Sequence, residues 1–142
     1  MGSQKWWLGL FSCLLFAVST QAQQPAPADE ATRRLALDIF KQLIEINTTD
    51  SVGSVTAAAE AMAQRFRDAG FPASDIQVLG PSSSSNDRKK NVVVRLHGSG
   101  KHKPVLLIGH LDVVEARRED WTTDPFQFVE KDGYYYGPAP AI

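Results

Sequence analysis

Leu35, Ile39, Phe40, Leu43 and Ile44 recur at three- and four-residue spacings, the period of one face of an α-helix. Asp29 stands ahead of them as an N-cap, and the polar run Asn47-Thr48-Thr49-Asp50 ends the pattern. A second helix is predicted after Gly53, capped by Ser54 and stopped by Gly70, a residue suited to the left-handed C-terminal position. Its inner face carries Ala58, Ala59, Met62, Ala63 and Phe66, an alanine-rich stripe that favours close packing. After Phe71-Pro72 the periodicity changes. Residues 76–79 read as a short strand, 81–90 as a serine-rich and then basic loop, and 91–96 as a strand around Val92-Val93-Val94. Gly98-Ser99-Gly100 makes the next turn. The run Val105-Leu106-Leu107-Ile108 is uninterrupted by any polar residue, as in a strand buried on both faces of a sheet. Residues 126–130 and 134–136 flank Lys131-Asp132-Gly133, the signature of a hairpin. This order, without internal repeats, predicts one α/β layer arrangement.

The N-terminus is subtracted from that fold. Lys5 gives a positive start, residues 6–18 are apolar apart from Ser12, and Thr20-Gln21-Ala22 places small residues where a signal peptidase reads. Residues 1–22 are therefore expected to be a signal peptide and residues 23–28 an extended lead-in, with export to the periplasm or the exterior. The apolar run is shorter than the roughly 18 to 20 residues of a spanning helix, so no stable membrane anchor is expected. With 15 basic and 16 acidic residues there is no cationic surplus to neutralise a phosphate backbone, which argues against nucleic acid as a partner. Arg88-Lys89-Lys90 reads as a solvated loop. One cysteine, Cys13, allows neither an intramolecular disulfide nor a thiolate cage, so any metal falls to His, Asp or Glu.

His110-Leu111-Asp112 follows directly on the aliphatic run, at the rim where open α/β sheets place ligands. Residues two apart on an extended segment share a face, so Asp112 can take the proton on one imidazole nitrogen of His110 while the other nitrogen binds a metal. On these residues alone a structural histidine and a metal ligand both remain open. His97 and His102 read as exposed turn residues, Asp124 and Glu130 as surface or turn carboxylates, and Trp121 and Phe126 as packing beneath the 110–112 loop. There is no Gly-x-Ser-x-Gly elbow and no phosphate-cradling glycine loop.

The ordered set Gly109-His110-Leu111-Asp112-Val113-Val114, Trp121, Asp124-Pro125-Phe126 and Asp132-Gly133-Tyr134-Tyr135-Tyr136-Gly137, with Asn91-Val92-Val93-Val94 ahead of it, resembles the N-terminal part of a known family. That family is the di-zinc aminoacylase, acetylornithine deacetylase, succinyl-diaminopimelate desuccinylase and carboxypeptidase G metallopeptidases. The resemblance implies an α/β fold, the N-terminal part of a mixed-sheet zinc-peptidase catalytic domain without its smaller inserted domain. It implies a zinc-dependent hydrolase of amide bonds in peptides or N-acyl amino acids. By that similarity His110 matches the histidine ligand of one of two zinc ions, and Asp112 matches the catalytic-site carboxylate that orients it. Glu115 stands where many members have proline, a departure expected to matter little for chemistry.

The resemblance also implies ligands that this sequence lacks. The bridging aspartate would follow a Gly-Arg-Gly turn beginning at Gly137, whereas the chain reads Gly137-Pro138-Ala139-Pro140-Ala141-Ile142. A single-base frameshift is the expected cause. The codons GGC CGC GGC ACC GGC GAT ATG AAG encode the family's Gly-Arg-Gly-Thr-Gly-Asp-Met-Lys. Without one G of the arginine codon they read Gly-Pro-Ala-Pro-Ala-Ile-stop. Residues 29–142 are thus expected to be a truncated N-terminal part of the catalytic domain, inactive by itself. The alternative is a non-catalytic secreted α/β binding module.

Overall fold

The computed structural model describes residues 26–80 and 87–138. The expected signal peptide, most of the serine-rich loop and the last four residues of the chain lie outside them. Among the described residues no helix is long and apolar enough to cross a membrane.

Helix α1 spans Glu30–Glu45, opened by Asp29, whose carboxylate accepts the Thr32 N–H at 2.7 Å. Helix α2 spans Val55–Asp68, opened by Ser54, whose hydroxyl accepts the Ala57 N–H at 3.2 Å. It ends where Gly70 takes a φ of +85°, a conformation that glycine adopts without a Cβ penalty. Strand β1, Ile76–Leu79, pairs antiparallel with β2, Asn91–Val94, in the register Ile76 to Val94. Strands β3, Val129–Lys131, and β4, Tyr134–Tyr136, form a second antiparallel pair. Its turn places Asp132 at φ +54° and Gly133 at φ +78°, the double positive pair that matches the twist of a two-residue hairpin.

Helix α2 packs on the β1–β2 pair. Leu43, Ala58 and Met62 form the core, covered by Ile39, Ile46, Ala61, Val92 and Leu111. Ala58, Ala59 and Ala63 are fully buried, so the alanine stripe does bring the helix close to its neighbours. Phe66 is half-buried and stacks edge-on against Phe71, with ring centres 5.1 Å apart. The second hairpin docks on α1 through Phe40, whose ring lies 6.1 Å from Phe128 and 6.2 Å from Tyr135. These edge-to-face contacts sit in the range where aromatic pairs add stabilisation beyond area.

Three expectations are corrected. Among the described residues the strands form two separate two-stranded antiparallel sheets and no mixed sheet, so the architecture there is a small mixed α/β arrangement. Residues 105–108 form no strand, and Val105, Leu106, Leu107 and Ile108 are 78% to 89% exposed. A doubly buried strand needs neighbours on both edges to take up its N–H and C=O groups, and layers over both faces. Among the described residues no strand pairs with it. Leu35, placed by periodicity on the core face of α1, is exposed, because the packed part of α1 is its C-terminal half around Leu43 and Ile44.

The Asp29 cap carries a pH dependence. The Thr32 hydrogen bond holds the Asp29 carboxyl below its ordinary value of 3.8, and the Lys89 ammonium does the same for Asp50. Carboxylates with a lowered folded pKa stabilise the fold above the ordinary value, and that contribution is lost as pH falls through the lowered one. Helicity read by circular dichroism is expected to hold down to about pH 4 and to decline below it. Asp29→Asn keeps a capping oxygen that does not titrate and should flatten the α1 part of that decline.

Candidate functional site

The turn over residues 47–53 joins α1 to α2 and forms the floor of the site. Asn47 Oδ1 accepts both the Thr49 N–H, at 3.0 Å, and the Thr49 hydroxyl, at 2.7 Å. Gly53 N–H to Thr49 O and Ser54 N–H to Asn47 O close the turn at 3.1 and 2.8 Å. Its side chains hold a segment more than sixty residues away in sequence. Thr48, 2% exposed, donates its hydroxyl to the Leu111 carbonyl at 2.8 Å. Ser51 donates its N–H and its hydroxyl to the two oxygens of Glu115, at 2.9 and 2.8 Å.

His110 and Asp112 lie on the segment held in this way. His110 Nδ1 is 3.0 Å from the Asp112 backbone oxygen and 3.3 Å from its carboxylate. A carbonyl only accepts, so this contact puts the ring proton on Nδ1 and directs the Nε2 lone pair away from Asp112. Both side chains are exposed, and Leu111 between them turns inward to the core. Asp112 also lines a cleft of about 300 Å³ with Thr48, Asp50, Arg88, Lys89 and Asn91.

Zinc centres use at least three protein ligands. Among the described residues no three His, Cys, Asp or Glu side chains converge on one point. Among the described residues the pair offers one imidazole nitrogen to a metal and does not fit a complete zinc centre.

The basic run is built into the fold. Arg88 Nη1 donates to the Gly53 carbonyl at 2.9 Å, Lys89 pairs with Asp50, and Lys90 pairs with Asp87. Thr56, in the first turn of α2, anchors the run by donating its hydroxyl to Asp87 O and accepting the Lys90 N–H. His97 is more than a turn residue. Its Nε2 lies 3.0 Å from both oxygens of Asp75, a carboxylate buried to 7% exposure. Sequence reading missed this pair, since nothing in a spacing of 22 residues marks it. His102 is exposed, as expected. Asp124 accepts the Phe126 N–H at 2.9 Å as a turn carboxylate, and Glu130 is exposed. Trp121 and Phe126 are half-buried.

No family model and no solved structure gives a significant match to the chain. Curated proteins do. A succinyl-diaminopimelate desuccinylase of Xanthomonas euvesicatoria pv. vesicatoria is 36% identical over 107 residues, 73% of this chain and 26% of that protein. A probable succinyl-diaminopimelate desuccinylase of Staphylococcus epidermidis is 48% identical over 54 residues, 37% of this chain and 13% of that protein. Aminoacylase-1 of Sus scrofa is 29% identical over 106 residues, 72% of this chain and 24% of that protein. The chain thus spans about a quarter or less of the length of these relatives. It is partly homologous to the metallo-amidohydrolases represented by succinyl-diaminopimelate desuccinylase and aminoacylase-1, over a small part of their length.

Proposed function

We propose that this chain carries the first metal-ligand element of an exported, zinc-dependent hydrolase of amide bonds in N-acyl amino acids or peptides. His110 is the metal-facing imidazole and Asp112 the carboxylate that orients it. The observation that carries the reading is the engagement of His110 Nδ1 by Asp112, which leaves the Nε2 lone pair free for a metal, in a chain partly homologous to the desuccinylases and aminoacylase-1. Ligating histidines are held in this way by a carboxylate or carbonyl on their second nitrogen. Because the described residues supply one ligand position, no step of hydrolysis is assigned to them. With further ligands completing the site, His110 would hold a zinc ion, which would supply Lewis-acid chemistry for amide hydrolysis.

The expected outcome is a chain that retains zinc no better than an adventitious surface site after dialysis against a mild chelator. Stoichiometric retention would overturn it. In the gene, restoring one base near codon 138 should open a frame that begins Arg-Gly-Thr and encodes further carboxylate and histidine ligands. The protein made from that frame should bind zinc, and His110→Ala in it should lower retention to the level of the present chain. A restored frame without such ligands, or zinc binding that survives His110→Ala, would end this reading. Export is tested by fusing residues 1–22 to a reporter that is active only outside the cytoplasm.

A further inference from the structure

We infer that Glu115 and Ser51 form a clasp that positions His110 and Asp112, an inference that rests on the proposed metal-ligand role of this loop. The loop carries no regular secondary structure over residues 103–117, so no ladder of backbone hydrogen bonds holds it. Among the described residues, side-chain hydrogen bonds tie it to the body of the protein at two places, one on each side of Asp112. On one side the buried Thr48 hydroxyl grips the Leu111 carbonyl. On the other, Glu115 takes two hydrogen bonds from Ser51, one from the backbone and one from the hydroxyl. A carboxylate accepting two donors in parallel fixes direction as well as distance, and each such charge-assisted bond is stronger than a neutral one. Ser51 is itself held, because Arg88 Nη1 reaches the carbonyls of Ser51 and Gly53 at 3.4 and 2.9 Å. The line runs from Arg88 through the 47–53 turn to Glu115 and so to Asp112, whose backbone oxygen sets the proton on His110 Nδ1.

This gives Glu115 a role that its place in the sequence does not suggest. A proline there would supply stiffness through its ring. Glutamate supplies it through a contact with a residue 64 positions away. Glu115 touches no reacting atom and is a positioning residue.

The test uses the full chain uniformly labelled with nitrogen-15, without metal, at about pH 8, where an ordinary imidazole is neutral. In the wild type the His110 ring should show the Nδ1–H tautomer as the major form. Glu115→Ala and Ser51→Ala should each move the ring signals toward the average of a free imidazole, and Glu115→Ala should raise the exchange rate of the Ser51 amide about tenfold, the loss of its one charge-assisted hydrogen bond. Signals of α1 and α2 should stay in place, which separates loss of the clasp from unfolding. Ser51→Thr keeps the N–H and the hydroxyl and should restore the wild-type ring signals. If Glu115→Ala leaves the His110 tautomer unchanged, the clasp does not position the ring and the inference fails. The metal reading fails on a different measurement, when zinc added to the restored-frame protein leaves His110 Nε2 unshifted. Either can fail while the other stands.

Discussion

Purified chain from residue 23 onward is expected to self-associate at concentrations on the order of tens of micromolar, and Leu107→Lys to return it to monomer. Four consecutive aliphatic side chains stand in water in residues 105–108, each worth about 1.5 to 3 kcal/mol on burial. The segment is rich in β-formers and free of charge, the composition of a strand that pairs with another chain when its own fold does not cover it. A second copy is a suitable partner. Antiparallel pairing of the segment with itself sets Val105 opposite Ile108, Leu106 opposite Leu107 and Lys101 opposite Asp112, which places apolar on apolar and cation on anion. Sedimentation velocity across a concentration series checks this. Larger species that disappear in Leu107→Lys are the expected result. Monomeric wild-type protein with a sharp cooperative melt would contradict it and favour an independent binding module.

The second large effect is at Gly53, where substitution by alanine should destabilise the fold by about 3 kcal/mol. A Cβ built there overlaps Thr49 N and lies 2.6 Å from Asn47 Oδ1 and 2.7 Å from Asn47 O. Two of these are backbone atoms of the same tight turn, so the strain cannot be relieved by turning a flexible side chain. The turn has to open, which takes with it the Gly53 to Thr49 and Ser54 to Asn47 hydrogen bonds and the cap of α2. Gly98, around which nothing lies within 4 Å, is the control, and Gly98→Ala should stay within about 0.5 kcal/mol of wild type. Urea unfolding in the Leu107→Lys background measures both. A Gly53→Ala midpoint equal to that of Gly98→Ala would show that the turn yields at no cost.

Much of the local structure was legible from residues a few positions apart. Asp29 and Ser54 cap their helices because their oxygens reach an N–H three residues on, a distance set by helix geometry alone. Asp132-Gly133 makes its hairpin turn because both residues tolerate a positive φ. The approach of Asp112 to His110 is equally local, following from a two-residue spacing.

The sequence by itself thus determined the helices, their caps, the β1–β2 and β3–β4 strands and the His110–Asp112 pair, since each depends on groups within a turn or a hairpin of one another. Only the tertiary structure decided what those elements meet. It brought Ser51 to Glu115 and Thr48 to Leu111, set Phe40 against Phe128 and Tyr135, and joined His97 to a buried Asp75. It also decided against a strand at residues 105–108. Hydrophobic pattern states which side chains favour burial, but burial is a property of the neighbours that cover them. A strand without a partner for its backbone groups has nothing to exchange for its hydrogen bonds to water.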